Sequence, residues 1–261
     1  MNEINKTLFI PLYGKAFVSK QNIILKDPDA ERIWMEEGFV LHGKAKSKWL
    51  AYNMAMRARV FDDWTESMLE NNKDALVLHI GCGLDSRYRR IKYPYKLWLD
   101  CDLSDVTSVR RKYYEETEKY RMVELDATNV SQIKSLPDSE TAVVVLEGIS
   151  MYLSNEQLHG FLQALQDKYA TLHILMDVYT EFGAKASKYK NPVNDVGVTK
   201  LYGVDDIEGL ITDLKIRFKK EHSFTPENLV NELQGFDKKI FKLLFTGRIY
   251  RKIYRLYELG M

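Results

Sequence analysis

The residues best equipped for chemistry lie between His79 and Arg87, where an apolar run over 75–80 stops at Gly81 and a second glycine follows at Gly83. Glycine permits a sharp strand-to-helix turn and close approach of a ligand to the backbone, and a helix N-terminus behind it attracts electronegative groups. Two glycines alone specify little, because the same pattern also makes a tight turn with no ligand. The third glycine of the dinucleotide fingerprint falls on Ser86, which weakens a reading as an NAD or FAD site. About twenty residues on, where that fingerprint sets an acid against a ribose diol, stand Asp100 and Asp102. Asp126 follows the next apolar run. Each acid by itself is equally a solvated turn residue, but their shared place after successive strands favours an adenosyl ligand. Carboxylates repel a pyrophosphate and accept hydrogen bonds from ribose hydroxyls and an adenine amine. S-adenosylmethionine carries no phosphate and suits the pattern better than a dinucleotide.

A second signal is a charge out of place. Leu50, Met54, Phe61, Trp64 and Met68 mark an apolar stripe at helical spacing over 45–70, and Arg57 fills its missing position. Such an arginine either snorkels or is held for an anionic partner.

These residues need a scaffold, and the periodicity supplies one. A helix opens at Asp27 and Pro28, a capping residue followed by proline. After the helix over 45–70, the polar stretch 71–74 breaks the pattern. Strands are expected over 75–80, 96–100, 121–125, 141–148 and 172–178, alternating with helices over 104–118 and 155–169, the latter capped by Ser154. That alternation predicts βαβ units and a mainly parallel sheet. The tail offers strands over 215–224 and 254–259 around 226–251, which would add an antiparallel edge. The expected class is α/β and Rossmann-like, with an N-terminal helical cap over 1–74 and a sheet domain over 75–261.

The chain has 261 residues, 38 basic and 37 acidic, for a net charge of +1. Near-neutrality removes the bulk electrostatic case for nucleic acid or an anionic membrane. Cys82 and Cys101 are too few for a disulfide scaffold or a zinc finger, and no metal site is expected. The first six residues lack a signal-peptide pattern and no apolar run is long enough to span a bilayer, so a cytoplasmic location is expected.

The stretch from His79 to Arg87 resembles the glycine motif of the leucine carboxyl methyltransferase family, most closely its bacterial branch of polyketide O-methyltransferases. The resemblance continues through Asp100 to Leu103, Arg110 to Lys112, Leu146 to Gly148 and Met151 to Leu153, and upstream through Ile10 to Ala16 and Arg57 to Asp62. It covers roughly residues 8 to 180 and is poor beyond about Asn191. It implies a class I methyltransferase fold and S-adenosylmethionine as cofactor. Gly81 and Gly83 match the cofactor loop. Asp102 matches the ribose-binding acid, with Asp100 as the less favoured alternative. Asp126 matches the residue flanking adenine, with Ala127 supplying a backbone N–H, and Glu147 matches the glutamate that meets the methionine amino group. Arg57 matches the arginine that pairs with the methionine carboxylate, and Lys15 a basic residue nearby. Arg59 is a rival on another helix face.

The implied reaction is methyl transfer to an oxygen of a small-molecule acceptor. Protein C-terminal carboxyl methylation, a non-catalytic cofactor-binding protein and a nucleotide-dependent oxidoreductase are the alternatives. A carboxylate acceptor needs no general base. A phenol or alcohol does, and His42, His79, His159, His173 and His222 are the candidates, though each is more readily structural or solvated and none is named as the base. Tyr13, Tyr152 and Tyr179 are candidate acceptor-site residues. The basic cluster Lys238, Lys239, Lys242, Arg248, Arg251, Lys252 and Arg255 is interleaved with apolar residues and reads as the solvated face of a helical pair.

Overall fold

The computed structural model describes residues 5–190 and 200–261. The start of the chain at residues 1–4 and the segment 191–199, where the resemblance fades, lie outside the described residues.

Three helices precede the sheet: α1 (Phe9–Ser19), α2 (Pro28–Glu37) and α3 (Lys48–Asn71). The cap of α2 is as the sequence predicts: Asp27 accepts from the Ala30 N–H at 2.9 Å, Pro28 sits at the start, and Gly38 ends the helix at φ +60°. Helix α1 carries no such signal. It grows out of a 3₁₀ turn (Asn5–Leu8), its N-terminal Leu8 makes no capping bond, and its buried face includes Lys15 and Ser19. It crosses α3 closely because residue 14 is glycine; a Cβ there would lie 2.9 Å from Met54 Cβ.

Among the described residues seven strands follow: β1 (Leu76–Ile80), β2 (Leu97–Asp102), β3 (Tyr120–Glu124), β4 (Thr141–Leu146), β5 (Thr171–Tyr179), β6 (Arg217–His222) and β7 (Tyr254–Gly260), with α4 (Arg87–Arg90), α5 (Ser104–Arg110), α6 (Val130–Lys134), α7 (Asn155–Lys168), α8 (Glu181–Lys190) and α9 (Ile207–Leu210) between the first six. They form one sheet in the order β3-β2-β1-β4-β5-β7-β6. Strands β1 to β5 are parallel, with the switch of direction between β1 and β4, and β7 runs antiparallel to both of its neighbours. The antiparallel strand therefore sits one place in from the edge, which β6 forms. Ligands in such sheets bind beyond the carboxyl ends of the strands at the switch point, which here is the β1–β4 pair.

Parallel strands are apolar on both faces because helices cover both. Leu76, Leu78, Ile80, Val144 and Leu146 pack with Leu158, Phe161 and Leu162 of α7 (Asn155–Lys168). Val77, Val143, Val145 and Leu175 pack with Met56, Phe61 and Trp64 of α3 in a core that also holds α1. Phe61 is fully buried, so its truncation to alanine would cost about 3–5 kcal/mol. Ser154 and Gln157 make a reciprocal capping box at the start of α7.

The helix expected over 104–118 stops early, as α5 (Ser104–Arg110). Beyond it the chain turns so that Tyr114 is buried with its hydroxyl donating to the Leu84 carbonyl at 3.1 Å. Between β6 and β7 lie α10 (Glu227–Glu232), α11 (Gly235–Phe245) and α12 (Gly247–Arg251). Phe241 of α11 is fully buried, while Lys239, Lys242, Arg248, Arg251 and Lys252 are exposed. No helix among the described residues is long and apolar enough to cross a membrane.

Candidate active site

The loop after β1 is built by glycine geometry. Gly81 has φ +68° and donates its N–H to the Cys101 carbonyl at 2.8 Å; a Cβ here would lie 2.8 Å from Ile149 Cδ1. Gly83, at φ +54°, donates its N–H to Asp102 Oδ2 at 2.7 Å, and Leu103 N–H donates to Oδ1 at 2.8 Å. Asp102 is thus fixed by two backbone donors at the end of β2 and keeps lone pairs for further donors. Burial pushes its carboxyl above the usual range, against the pull of those two N–H groups. Beyond β3, Asp126 accepts from the Thr128 N–H at 2.8 Å and hydroxyl at 2.7 Å in an Asx-type turn, with Ala127 beside it.

Next to this acid-lined edge lies a buried network of charges. Glu147, just past β4, accepts from Arg57 Nε at 2.9 Å with one oxygen and from Arg87 with the other. Burial disfavours its charge, but Arg57 and Arg87 beside it bring its carboxyl down to about 2. Arg57 Nη1 reaches Asp177 Oδ2 at 3.1 Å and the Tyr254 hydroxyl at 2.9 Å, and that hydroxyl donates to Asp177. The remaining nitrogen, Nη2, lies over Gly148, where a Cβ would meet it at 3.3 Å. Lys15 Nζ donates to Asp85 Oδ2 at 2.9 Å, and Arg90 Nη1 lies 2.9 Å from Oδ1. Burial opposes the Asp85 charge as well, yet Arg90, Lys15 and Arg87 hold its carboxyl well below the usual range. Arg59 faces away, paired with Asp63 at 2.7 Å and bonded to the Ile24 carbonyl at 3.2 Å.

All eight residues singled out from the sequence line one cavity of about 900 Å3: Lys15, Arg57, Gly81, Gly83, Asp102, Asp126, Ala127 and Glu147. That volume is near the top of the range of roughly 300–1,000 Å3 for small-molecule sites. Asp100 is absent from its wall. It is fully buried one residue pair deeper, accepting from Trp98 Nε1 at 2.8 Å, the Tyr120 hydroxyl at 2.8 Å, His79 Nδ1 at 3.1 Å and Arg110. Arg110 also donates to the carbonyls of Gly83 at 2.9 Å and Asp85 at 2.6 Å, so this cluster supports the glycine loop from below.

Among the five histidines only His79 reaches the cavity. Its Nε2 takes a bond from Arg87 at 3.0 Å, and since arginine only donates, Nδ1 must carry the proton that goes to Asp100. Burial, and then Arg87, lower its pKa and keep it neutral. His159 pairs with Asp213 and His222 with Glu258, away from the site. Tyr152 and Tyr179 line the cavity and Tyr13 does not.

Several side chains that build the site carry no role in the sequence reading. Asp85 and Arg87 stand inside the glycine motif, and Asp177 interrupts the apolar run of β5. The signal was there: an ionised side chain in a buried strand has to be paired. Which partner it meets depends on residues as distant as Arg57 and Tyr254.

The family model for leucine carboxyl methyltransferase matches residues 2–166. Tetracenomycin polyketide synthesis O-methyltransferase TcmP of Streptomyces glaucescens is 26% identical over 258 residues, spanning 95% of this chain and 96% of the relative. Among solved structures, a putative methyltransferase from Thermobifida fusca YX superposes with a TM-score of 0.56 at 14% identity, over 96% of this chain and 93% of that one. Magnesium protoporphyrin IX methyltransferase from Synechocystis PCC 6803 with bound SAM gives 0.52 at 10% identity, over 95% and 96%. These two likenesses concern the fold. The family match extends over more than half of the sequence, and this chain belongs to the leucine carboxyl methyltransferase family, whose cofactor is S-adenosylmethionine.

Proposed function

We propose that this protein transfers the methyl group of S-adenosylmethionine to a carboxylate oxygen of a small, largely apolar acceptor. The observation that carries the reading is the chemical difference between the two ends of one continuous cavity. Past β1, β2 and β3 it is lined by glycine backbone and acids; past the end of β5 and beside the start of β7 it is lined by Trp49, Leu50, Tyr179, Phe245, Tyr250 and Tyr254.

At the first end, the free lone pairs of Asp102 suit a ribose diol, and among the described residues only Leu8 Cβ lies within 4 Å of a Cβ added at Gly83. Asp126 and Ala127 flank the adenine position. Glu147 meets the ammonium, and Lys15 with Arg57 Nη2 meets the carboxylate of the methionine moiety. An arginine already clamped by Glu147 and Asp177 is pre-oriented, so little side-chain freedom is lost on binding. When bound, the cofactor supplies an electrophilic methyl on a sulfonium. The chain aligns the acceptor with it and keeps water out, with α1, α2 and α3 acting as the cap.

A carboxylate acceptor fits because it is already ionised at pH 7 and needs no proton removed. His79, with both ring nitrogens engaged, is not placed to act as a base. The similarity to a polyketide O-methyltransferase over nearly the whole chain supports a small acceptor rather than a protein terminus.

The test is label transfer from S-adenosyl[methyl-³H]methionine to a panel of aromatic carboxylic acids and phenols. Label that mild alkali releases as volatile methanol, as from a methyl ester, supports the reading. Alkali-stable label on phenols alone overturns the carboxylate assignment. Cofactor binding without transfer to any acceptor favours a non-catalytic binding protein.

A further inference from the structure

Asn53 of α3 is 2% exposed and lines the cavity one helical turn before Arg57. Its Oδ1 accepts from the Tyr250 hydroxyl at 2.9 Å, which fixes the orientation of the amide. Its Nδ2 has no hydrogen-bond partner among the described residues. A buried donor without an acceptor is costly, and a binding site is where such a donor finds one. The surroundings point to the acceptor rather than the cofactor. Arg57 reaches the ends of β4 and β5 through Glu147 and Asp177, whereas Asn53 meets Tyr250 of α12, on the far side from the glycine loop and the acids of β2 and β3. Leu50, Met54, Phe245 and Tyr250 line the same cavity, so the wall around the amide is mainly apolar and aromatic.

We infer that Asn53 is an acceptor-positioning residue: its Nδ2 donates a hydrogen bond to a carboxylate or carbonyl oxygen of a planar aromatic acceptor, with Tyr250 holding the amide in register. The inference rests on the proposed methyl-transfer reading and extends it to the chemical class of the acceptor. Apolar walls select the ring system, and one directional donor selects its oxygen. An aromatic acid that offers one oxygen to Asn53 keeps the other for attack on the methyl carbon. In that step the new C–O bond forms as the methyl–sulfur bond breaks, and its electron pair returns to sulfur, leaving the thioether and a neutral ester.

The experiment is calorimetric titration of 2-naphthoate, 2-naphthol and naphthalene into the protein saturated with S-adenosylhomocysteine. For the unaltered protein, 2-naphthoate binds more tightly than naphthalene. Asn53→Leu, nearly isosteric and without a donor, weakens 2-naphthoate about tenfold, the loss expected for one hydrogen bond, and leaves naphthalene and S-adenosylhomocysteine within twofold. Asn53→Asp, which turns the donor into a like charge, weakens 2-naphthoate further. Tyr250→Phe, which releases the amide, has a smaller effect in the same direction. Equal 2-naphthoate affinity in Asn53→Leu and the unaltered protein overturns the inference, as does no 2-naphthoate binding by the unaltered protein. A matching loss of S-adenosylhomocysteine affinity in Asn53→Leu assigns the residue to the cofactor end and also overturns it. Failure of S-adenosylhomocysteine to bind the unaltered protein is a separate result, and it removes the cofactor reading instead.

Discussion

Arg57 and Glu147 lie side by side beyond the end of β4, with Arg57 Nε 2.9 Å from Glu147 Oε1 and both side chains buried. An arginine that interrupts an apolar helix stripe is therefore explained by a partner ninety residues away. Asp177, on the next strand, takes a second nitrogen of the same guanidinium. The pair joins α3 to the sheet at the point where the two ends of the cavity meet.

Removing Arg57 takes one of two guanidinium partners from buried Glu147 and the paired cation from buried Asp177, whereas removing Arg59 breaks an exposed pair. Arg57→Ala is expected to lower the unfolding free energy by about 3–5 kcal/mol, and Arg59→Ala by no more than about 1 kcal/mol. Urea unfolding checks this, and titration with S-adenosylmethionine should show the same ranking for affinity. Equal effects from the two variants would refute the assignment of Arg57.

The two acids of β2 separate cleanly. Asp102→Ala should weaken S-adenosylmethionine by about 10- to 100-fold, the loss of one charged hydrogen bond to the ribose, and leave the protein folded. Asp100→Ala leaves Arg110 buried beside Tyr120 without its carboxylate, so it should act on stability first, by about 3–5 kcal/mol. Paired urea melts and titrations distinguish these outcomes. A folded, stable Asp100→Ala that has lost the cofactor would reverse the roles.

Gly81 and Gly235 share a left-handed backbone but not their surroundings. A Cβ at 81 meets Ile149 at 2.8 Å, and one at 235 meets nothing within 4 Å among the described residues. Both alanine variants carry the backbone cost of about 1–2 kcal/mol. Only Gly81→Ala should also displace the cavity wall and weaken S-adenosylmethionine. Titration of both variants checks it, and a parallel loss at 235 would count against the loop's assigned role.

His79 makes stability depend on pH in a defined direction. Its native pKa is lowered, so between that value and the unfolded value of about 6.5 the unfolded chain binds a proton that the native protein does not. Stability from this group is complete above about pH 6.5 and falls as the pH drops below it. Ring ¹⁵N shifts should report a neutral, Nδ1-protonated imidazole at pH 6.5, and His79→Gln should flatten the pH slope just below that value. An imidazolium at pH 6.5 would contradict the assigned hydrogen bonds.

The sheet and the glycine loop were legible because local signals encode them: apolar runs ending at Gly81, Asp102 and Asp126, and caps at Asp27 and Ser154. Helix α1 was not, because it starts without a capping side chain and spends Lys15 and Ser19 on its buried face. The early end of α5 depends on Tyr114 reaching Leu84, a contact no periodicity encodes. The eight candidate residues came from the glycine turn, the acids after successive strands, one misplaced charge and the family resemblance, which alone supplied Lys15, Ala127 and Glu147. Their partners Asp85, Arg87 and Asp177 did not, since pairing across 60 or 120 residues is set by the fold. Asn53 carries no signal in the sequence, because what marks it, a buried Nδ2 without a hydrogen-bond partner among the described residues, arises only from packing.

The most direct test is calorimetric titration of the unaltered protein and Asp102→Ala with S-adenosylmethionine, S-adenosylhomocysteine and NAD. We predict one site for the two sulfur compounds, competed by each other and weakened by Asp102→Ala, with no binding of NAD. A folded protein that binds neither sulfur compound, or an Asp102→Ala variant that binds both as tightly as the unaltered protein, would contradict the account.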